Sequence, residues 1–405
     1  MSEHPVRLVL SDDRQRSRIT VFFRALLSIP HWIWLALWSL VALLAAIVNW
    51  LATLALGRSP ARLHRFLAAY VKYTTQFYAY LHLAAEPYPP FDGQDGYPVD
   101  LTIAPPARQS RWSVLFRAIL IWPAVLLAAV FVGNPQGGFN SGRGAFSFGF
   151  GLLPLVALLG WFAIMARSEM PRGLRDSAVY ALSYGAQFWA YALLLTDRYP
   201  NSDPLAVVPD LPARDDPIRV KLDADDELRR SRLTVFFRLP LAVPHIVWLA
   251  LWGVLAWIAA IVNWLITLLA GRSPTSLHRF LAAYLRYLLH VYAFLYLVAN
   301  PFPGFTGPAG SYPFEIAIAE RARQNRWKTG FRAILAIPAF LLLSALNLLL
   351  GVAAVLGWFS SLARARMPRG LRNAGAFALR YQAQTIGYLL LLSDAYPYGG
   401  PVRDD

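Results

Sequence analysis

The chain has 405 residues, of which 57% are hydrophobic and 15% charged, and its mean hydropathy is +0.42. Soluble domains carry about a quarter charged residues, so this composition excludes an ordinary soluble fold and reads as an integral membrane protein. The absence of cysteine excludes a disulfide framework, a thiolate nucleophile and a cysteine metal site, and the net charge of +15 sits in arginines beside apolar runs, which suits lipid headgroups rather than nucleic acid.

The first stretch, "MSEHPVRLVLSDDRQRSR", is polar and has no apolar core of a cleavable signal peptide. The first apolar segment is therefore expected to act as its own insertion signal. A self-similar phrase then sets the organisation: "SRITVFFRALLSIPHW" from Ser17, "SRWSVLFRAILIWPAV" from Ser110, "SRLTVFFRLPLAVPHI" from Ser231 and "NRWKTGFRAILAIPAF" from Asn325. Internal repetition of this kind defines structural units. We divide the chain into unit 1 (1–98), unit 2 (99–217, with a glycine-rich insertion at 133–150), unit 3 (218–313) and unit 4 (314–405).

Each unit opens with a short alternating segment, "VRLVL", "VDLTI", "IRVKL" or "FEIAI", the period of a half-buried strand. Arg7, Asp100, Arg219 and Glu315 alternate in sign at one position, so the strands are expected to meet in one small cytoplasmic sheet with cross-strand attraction. Extended linkers are the other reading. In the repeated phrase, Ser17, Thr20 and Arg24 and their counterparts fall on one helical face. A proline follows six residues after each arginine, at Pro30, Pro123, Pro244 and Pro338. This is the pattern of an amphipathic helix whose arginines stay among headgroups. The candidate headgroup-contacting residues are Arg18, Arg24, Arg111, Arg117, Arg232, Arg238, Arg326 and Arg332.

From Ile19 to Leu56 the chain is almost continuously apolar. A single helix of that length would extend ~57 Å, against a hydrocarbon core of ~30 Å. The insertion at 133–150 interrupts the matching run of unit 2, where the other units have Ser39, Gly253 and Asn347, all turn formers. A transmembrane hairpin is therefore expected, with helices at 17–38 and 40–57 and eight crossings in all. The competing layout keeps 17–29 interfacial and makes 31–56 one tilted span and 61–86 a second. The positive-inside rule puts both termini, the strands and the arginines at the hairpin's feet in the cytoplasm.

The last element of each unit begins after a proline and, in units 1, 2 and 4, is followed by a closing Tyr-Pro, where unit 3 has Phe-Pro. Lys72, Ser183, Arg286 and Arg380 share its middle, so it should lie at the interface or face the bundle interior. Tyr73, Gln76 and Tyr80 fall on one face, as do Tyr184, Gln187 and Tyr191; Tyr287 and His290; and Tyr381, Gln384 and Tyr388. These residues line a cavity or bond helices to one another. His31 with His245, and His64 with His278, occupy repeat positions, but none has metal-ligand spacing. No catalytic, metal or cofactor residue is assigned.

The combination of "FFR" followed by proline, "GRSP" before the last helix and the closing Tyr-Pro resembles a bacterial multi-pass membrane family catalogued as domain of unknown function 4389, in four tandem copies. Units 2 and 4 depart from it with "EMPR" and "RMPR" in place of "GRSP". The resemblance implies a bacterial cytoplasmic membrane setting and no activity. The expectation is an all-α polytopic membrane protein with short extracytoplasmic turns and a small cytoplasmic β layer. Its role is expected to be membrane-organising or lipid-headgroup-contacting, with membrane lipids as partners; a transporter or channel comes second, and a lipid-modifying enzyme third.

Overall fold

A computed structural model describes residues 4–133, 151–222 and 228–403. It is mostly helical, and it divides into two compact units, Met1–Leu211 and Pro212–Asp405, here called the first and second halves. Residues 134–150, with most of the glycine-rich insertion, lie outside the described residues.

In the first half, unit 1 contributes β1 (Val6–Leu10), α1 (Arg18–Phe22), α2 (Arg24–Leu27), α3 (Ile29–Leu56) and α4 (Ala61–Leu81). Unit 2 contributes β2 (Val99–Ile103), α5 (Arg111–Leu115), α6 (Arg117–Leu120), α7 (Trp122–Val132), α8 (Leu152–Arg167), α9 (Arg172–Ala192) and the single turn α10 (Pro204–Val207). The second half follows the same order. Unit 3 gives β3 (Ile218–Leu222), α11 (Arg232–Phe236), α12 (Arg238–Ala270) and α13 (Thr275–Leu295). Unit 4 gives β4 (Phe314–Ile318), α14 (Arg326–Gly330), α15 (Arg332–Leu335), α16 (Ile337–Arg364) and α17 (Arg369–Leu389).

After the kink at Phe23 the long apolar run continues to Leu56 without turning back, and the expected hairpin does not form. Ser39, Gly253 and Asn347 lie inside α3, α12 and α16. Ser39 Oγ is 2.9 Å from the Tyr70 hydroxyl on α4, and Gly253 leaves room for the hydroxyl of Tyr284. These small residues admit a neighbouring ring and do not turn the chain. In unit 2, α7 and α8 together take the place of α3. They meet at Gly133 and Gly151, where a Cβ on Gly151 would collide with the Gly133 backbone. Pro30, Pro123 and Pro338 sit in the first turn of their helices, where the missing N–H costs nothing; Pro244 lies within α12.

Arg24–Leu56, Arg238–Ala270 and Ile337–Arg364 are long and apolar enough to cross a membrane. On α3 only His31, Leu35, Ala42, Asn49 and Thr53 are buried, and on the matching part of α12 only His245, Leu249, Ala256, Asn263 and Thr267. Those residues form a narrow stripe at heptad-like spacing. The rest of each surface is exposed Leu, Ile, Val and Trp.

The strands pair antiparallel in two separate ribbons, β1 with β2 and β3 with β4, rather than in one sheet. Leu8 faces Leu101, and Val220 faces Ile316. Arg7 does not face Asp100 and Arg219 does not face Glu315, since Arg7 faces Thr102 and Arg219 faces Ala317, but Glu315 faces Lys221 and so keeps one cross-strand pair of opposite charge. Burying Val6, Leu8, Val99 and Leu101 on the helices fixes the register, and a shift of one residue would turn them to water.

Within each half the two units exchange elements. β1 packs on α9 and β2 on α4, while α4 packs on α9. The end of α3 meets the start of unit 2, through Gln109 N–H to Gly57 O at 2.9 Å, and the end of α8 meets the start of unit 1, through Arg16 N–H to Ser168 O at 3.0 Å. The second half repeats this, with Gln324 N–H to Gly271 O and Arg230 N–H to Ala365 O, both at 2.9 Å. The long helices of the two units therefore run in opposite directions between the same two ends.

Candidate functional site

Each repeated phrase starts with a short helix that ends on a phenylalanine in the bridge region, at Phe23, Phe116, Phe237 and Phe331. The next residue is the second arginine of the phrase. That kink turns its side chain inward, so Arg24, Arg117, Arg238 and Arg332 are all 4% exposed or less. These four, expected among headgroups, instead occupy sockets at the C-termini of the last helices. Arg24 donates to Tyr80 O at 2.7 Å, Ala85 O at 3.1 Å and Glu86 Oε2 at 2.8 Å, with its guanidinium 4.3 Å from the Tyr80 ring centroid. Arg332 does the same with Tyr388 O, Ser393 O and Asp394 Oδ1, 4.2 Å from the Tyr388 ring. Arg117 uses Thr196 O, Gln109 Oε1 and Asp197 Oδ1 over Tyr191. Arg238 reaches Phe294 O, Ala299 O and the neutral Asn300 Oδ1 over Phe294.

The chemistry of the socket follows from helix ends. A leucine with positive φ closes each last helix, at Leu83, Leu194, Leu297 and Leu391. This left-handed cap leaves carbonyls pointing outward at the negative end of the dipole. A planar fork of donors satisfies several of them at once, which an ammonium does less well.

The tyrosines and glutamines of the stripe make bonds within the chain. The Tyr73 hydroxyl meets His31 Nδ1 at 2.8 Å and the Tyr287 hydroxyl meets His245 Nδ1 at 2.7 Å. Tyr184 and Tyr381 donate to Ala124 O and Ala339 O, each at 3.3 Å. These four bonds tie the last helix to the long helix of the same unit. Gln187 and Gln384 donate to the strand carbonyls of Val6 and Ile218, while Gln76 donates to Gln94 O and to Asp100. Tyr80, Tyr191 and Tyr388 carry the socket arginines. His290 stacks on Tyr312 beside Glu315 and Arg286, and burial followed by the Arg286 charge pulls its pKa down to about 4. Burial likewise holds His64 and His278 below the ordinary imidazole value. These rings are neutral at neutral pH.

The other four arginines remain exposed. Arg18, Arg111 and Arg232 donate to the last-turn carbonyls of the opposite long helix, at Ala166, Ala55 and Ala363. Arg326 lies against Gly271, at the end of α12. Exposed aromatics stand beside them: Phe22, Trp112, Phe236 and Trp327 are 60%, 72%, 60% and 79% exposed.

In the first half, a cavity of about 740 Å³ opens beside β1, between His4, Arg7, Gln187, Arg198, Tyr199 and Asn201. Of the stripe residues it touches Gln187 alone. The sockets also carry a signal that sequence reading passed over. The arginine and the acid or amide that closes its socket are 62 residues apart in units 1, 3 and 4, and 80 apart in unit 2, which holds the insertion.

A family model described as a domain of unknown function, DUF4389, matches residues 18–92, 232–306 and 326–400, more than half of the chain. No curated protein and no solved structure matches the chain.

Proposed function

Since the chain belongs to the DUF4389 family, a membership that brings no activity with it, we propose from its own surface that it is a non-enzymatic protein of the bacterial cytoplasmic membrane that binds and organises lipid headgroups. We also propose that residues 99–217 are a fourth, diverged copy of the family domain, on the strength of the Arg117 socket. One observation carries the functional reading. At the ends of the apolar helices, Arg18, Arg111, Arg232 and Arg326 stay exposed next to Phe22, Trp112, Phe236 and Trp327. Arginine beside an interfacial aromatic is the arrangement that holds a protein at headgroup depth and draws anionic lipid. Four of the eight arginines assigned to headgroups from sequence thus keep that role, and the socket four lose it. A transport role draws on the cavity beside Gln187, which lacks the other stripe residues.

The test is lipid selectivity. The full chain with Arg18, Arg111, Arg232 and Arg326 all changed to Gln should still fold and melt cooperatively, since the carbonyl bonds it loses are solvent-exposed. In native mass spectrometry it should lose most of its preference for phosphatidylglycerol over phosphatidylcholine, and the wild-type preference should weaken with salt. A preference unchanged by the four substitutions overturns the assignment.

A further inference from the structure

The length and apolar surface of α3 and α12 invite a crossing of the bilayer, but the contacts around them argue for a different pose. Resting on the membrane reading above, we propose that each half is embedded in one leaflet, with its long helices parallel to the membrane plane and its ribbon facing water. The partner of the exposed apolar faces is then the acyl layer of a single monolayer.

Four observations converge on this pose. First, charge sits at both ends of the long helices. In the first half, Arg18 and Arg167 are exposed at one end, and Arg58, Arg62, Arg65, Arg108 and Arg111 at the other. In the second half, Arg232, Arg364 and Arg366 stand at one end, and Arg272, Arg279, Arg321, Arg323 and Arg326 at the other. The second-named end holds more of them, but a crossing helix would still carry the two or three arginines of the poorer end to the other side of the bilayer, whereas a helix lying in the plane meets headgroups of the same leaflet at both ends.

Second, ion pairs, one of them with a fully exposed acid, stand level with the middle of the helices. Ser39, near the midpoint of the run Arg24–Leu56, bonds Tyr70 near the midpoint of α4. Lys72 beside it pairs with Asp95 and Asp100, and the Asp95 side chain is 96% exposed. The second half places the Arg286–Glu315 pair, at 3.3 Å, at the middle of α13. In a crossing pose these groups would lie at the depth of the bilayer centre, with no water to hydrate them.

Third, the 33 residues of Arg24–Leu56 extend about 50 Å. Fitting them across a core of roughly 30 Å would need a tilt of about 53°, outside the usual range of roughly 0–40°. Fourth, the polar side chains of α3 after its proline, His31, Ser39, Asn49 and Thr53, all turn towards the protein, so the outward surface offers lipid nothing to hydrate.

The native chain has no cysteine, so single cysteines report cleanly. Arg18→Cys and Arg58→Cys, in the full chain reconstituted in vesicles of phosphatidylethanolamine and phosphatidylglycerol, are expected to react with an impermeant maleimide from the same side. Fluorophores at Leu26→Cys, Leu44→Cys and Leu56→Cys are expected to show one common depth against lipids carrying nitroxides at graded acyl positions. Reaction of the two arginine sites from opposite sides, or a label at Leu44 lying at the bilayer centre while those at Leu26 and Leu56 are shallow, overturns the in-plane pose and leaves the membrane reading intact. No quenching at any of the three positions overturns both.

Discussion

At the residue scale, the four socket arginines form an internal comparison. Arg24, Arg117 and Arg332 each end on a carboxylate, at 2.8, 3.0 and 2.9 Å, while Arg238 ends on Asn300 at 3.4 Å. Among the described residues, unit 3 therefore buries a cation whose socket is closed by a neutral amide, the arrangement that costs most in a low-dielectric interior. Asn300→Asp should supply the missing charge-assisted bond and raise stability by about 1 kcal/mol, read as a higher melting temperature in detergent. Glu86→Gln, the reverse change in unit 1, should lower it by a similar amount. If the two substitutions fail to move the melting temperature in opposite directions, the sockets are not held electrostatically. Sequence reading found these arginines but placed them among headgroups, because a flanking arginine looks the same whether it turns in or out. The kink at Phe23 and its counterparts, which decides between them, leaves no periodicity to read.

At the element scale, the long helices carry two interchangeable solutions to one close contact. In units 1 and 3, Asn49 and Asn263 reach across to Leu193 O and Leu390 O, at 2.9 and 3.1 Å, and each accepts from a serine, Ser59 at 2.7 Å and Ser273 at 2.6 Å. In units 2 and 4 the same positions hold Gly160 with Met170 and Gly357 with Met367, and a Cβ on either glycine would press on the methionine sulfur. Gly160→Asn alone should overpack this site and cost roughly 1–3 kcal/mol. Combined with Met170→Ser it should regain more than about 1 kcal/mol, because neighbours that share a contact are coupled. A double-mutant cycle on melting temperature checks this, and strict additivity would count against it. The strands were legible as local signals, whereas the last helices end on left-handed leucines, several residues before the Tyr-Pro or Phe-Pro that was read as their stop. The hairpin was a wrong inference from length. Hydropathy records that a segment avoids water but not the angle at which it does so, and Ser39 and Gly253 resemble turn residues because each admits a tyrosine of the neighbouring helix.

At the scale of the whole molecule, the exchange of elements sets the smallest piece that folds. Unit 1 alone would leave the apolar face of β1 without α9 and the end of α3 without the Gln109 amide. A two-stranded ribbon has little stability without a partner, and β1 finds both its strand and its helix in unit 2. The halves, by contrast, close these contacts internally, since every ribbon pair and every helix-end bond described above falls within 1–211 or 212–405. Each half expressed alone in detergent is therefore expected to retain the helical circular dichroism and cooperative melting of its share of the full chain, whereas residues 1–98 or 99–217 alone should aggregate or melt without cooperativity. Mixing those two fragments should restore the transition, because the exchanged strands and helix ends need proximity and not a peptide link. A cooperative transition from 1–98 alone would show that the unit, not the pair, is the folding domain.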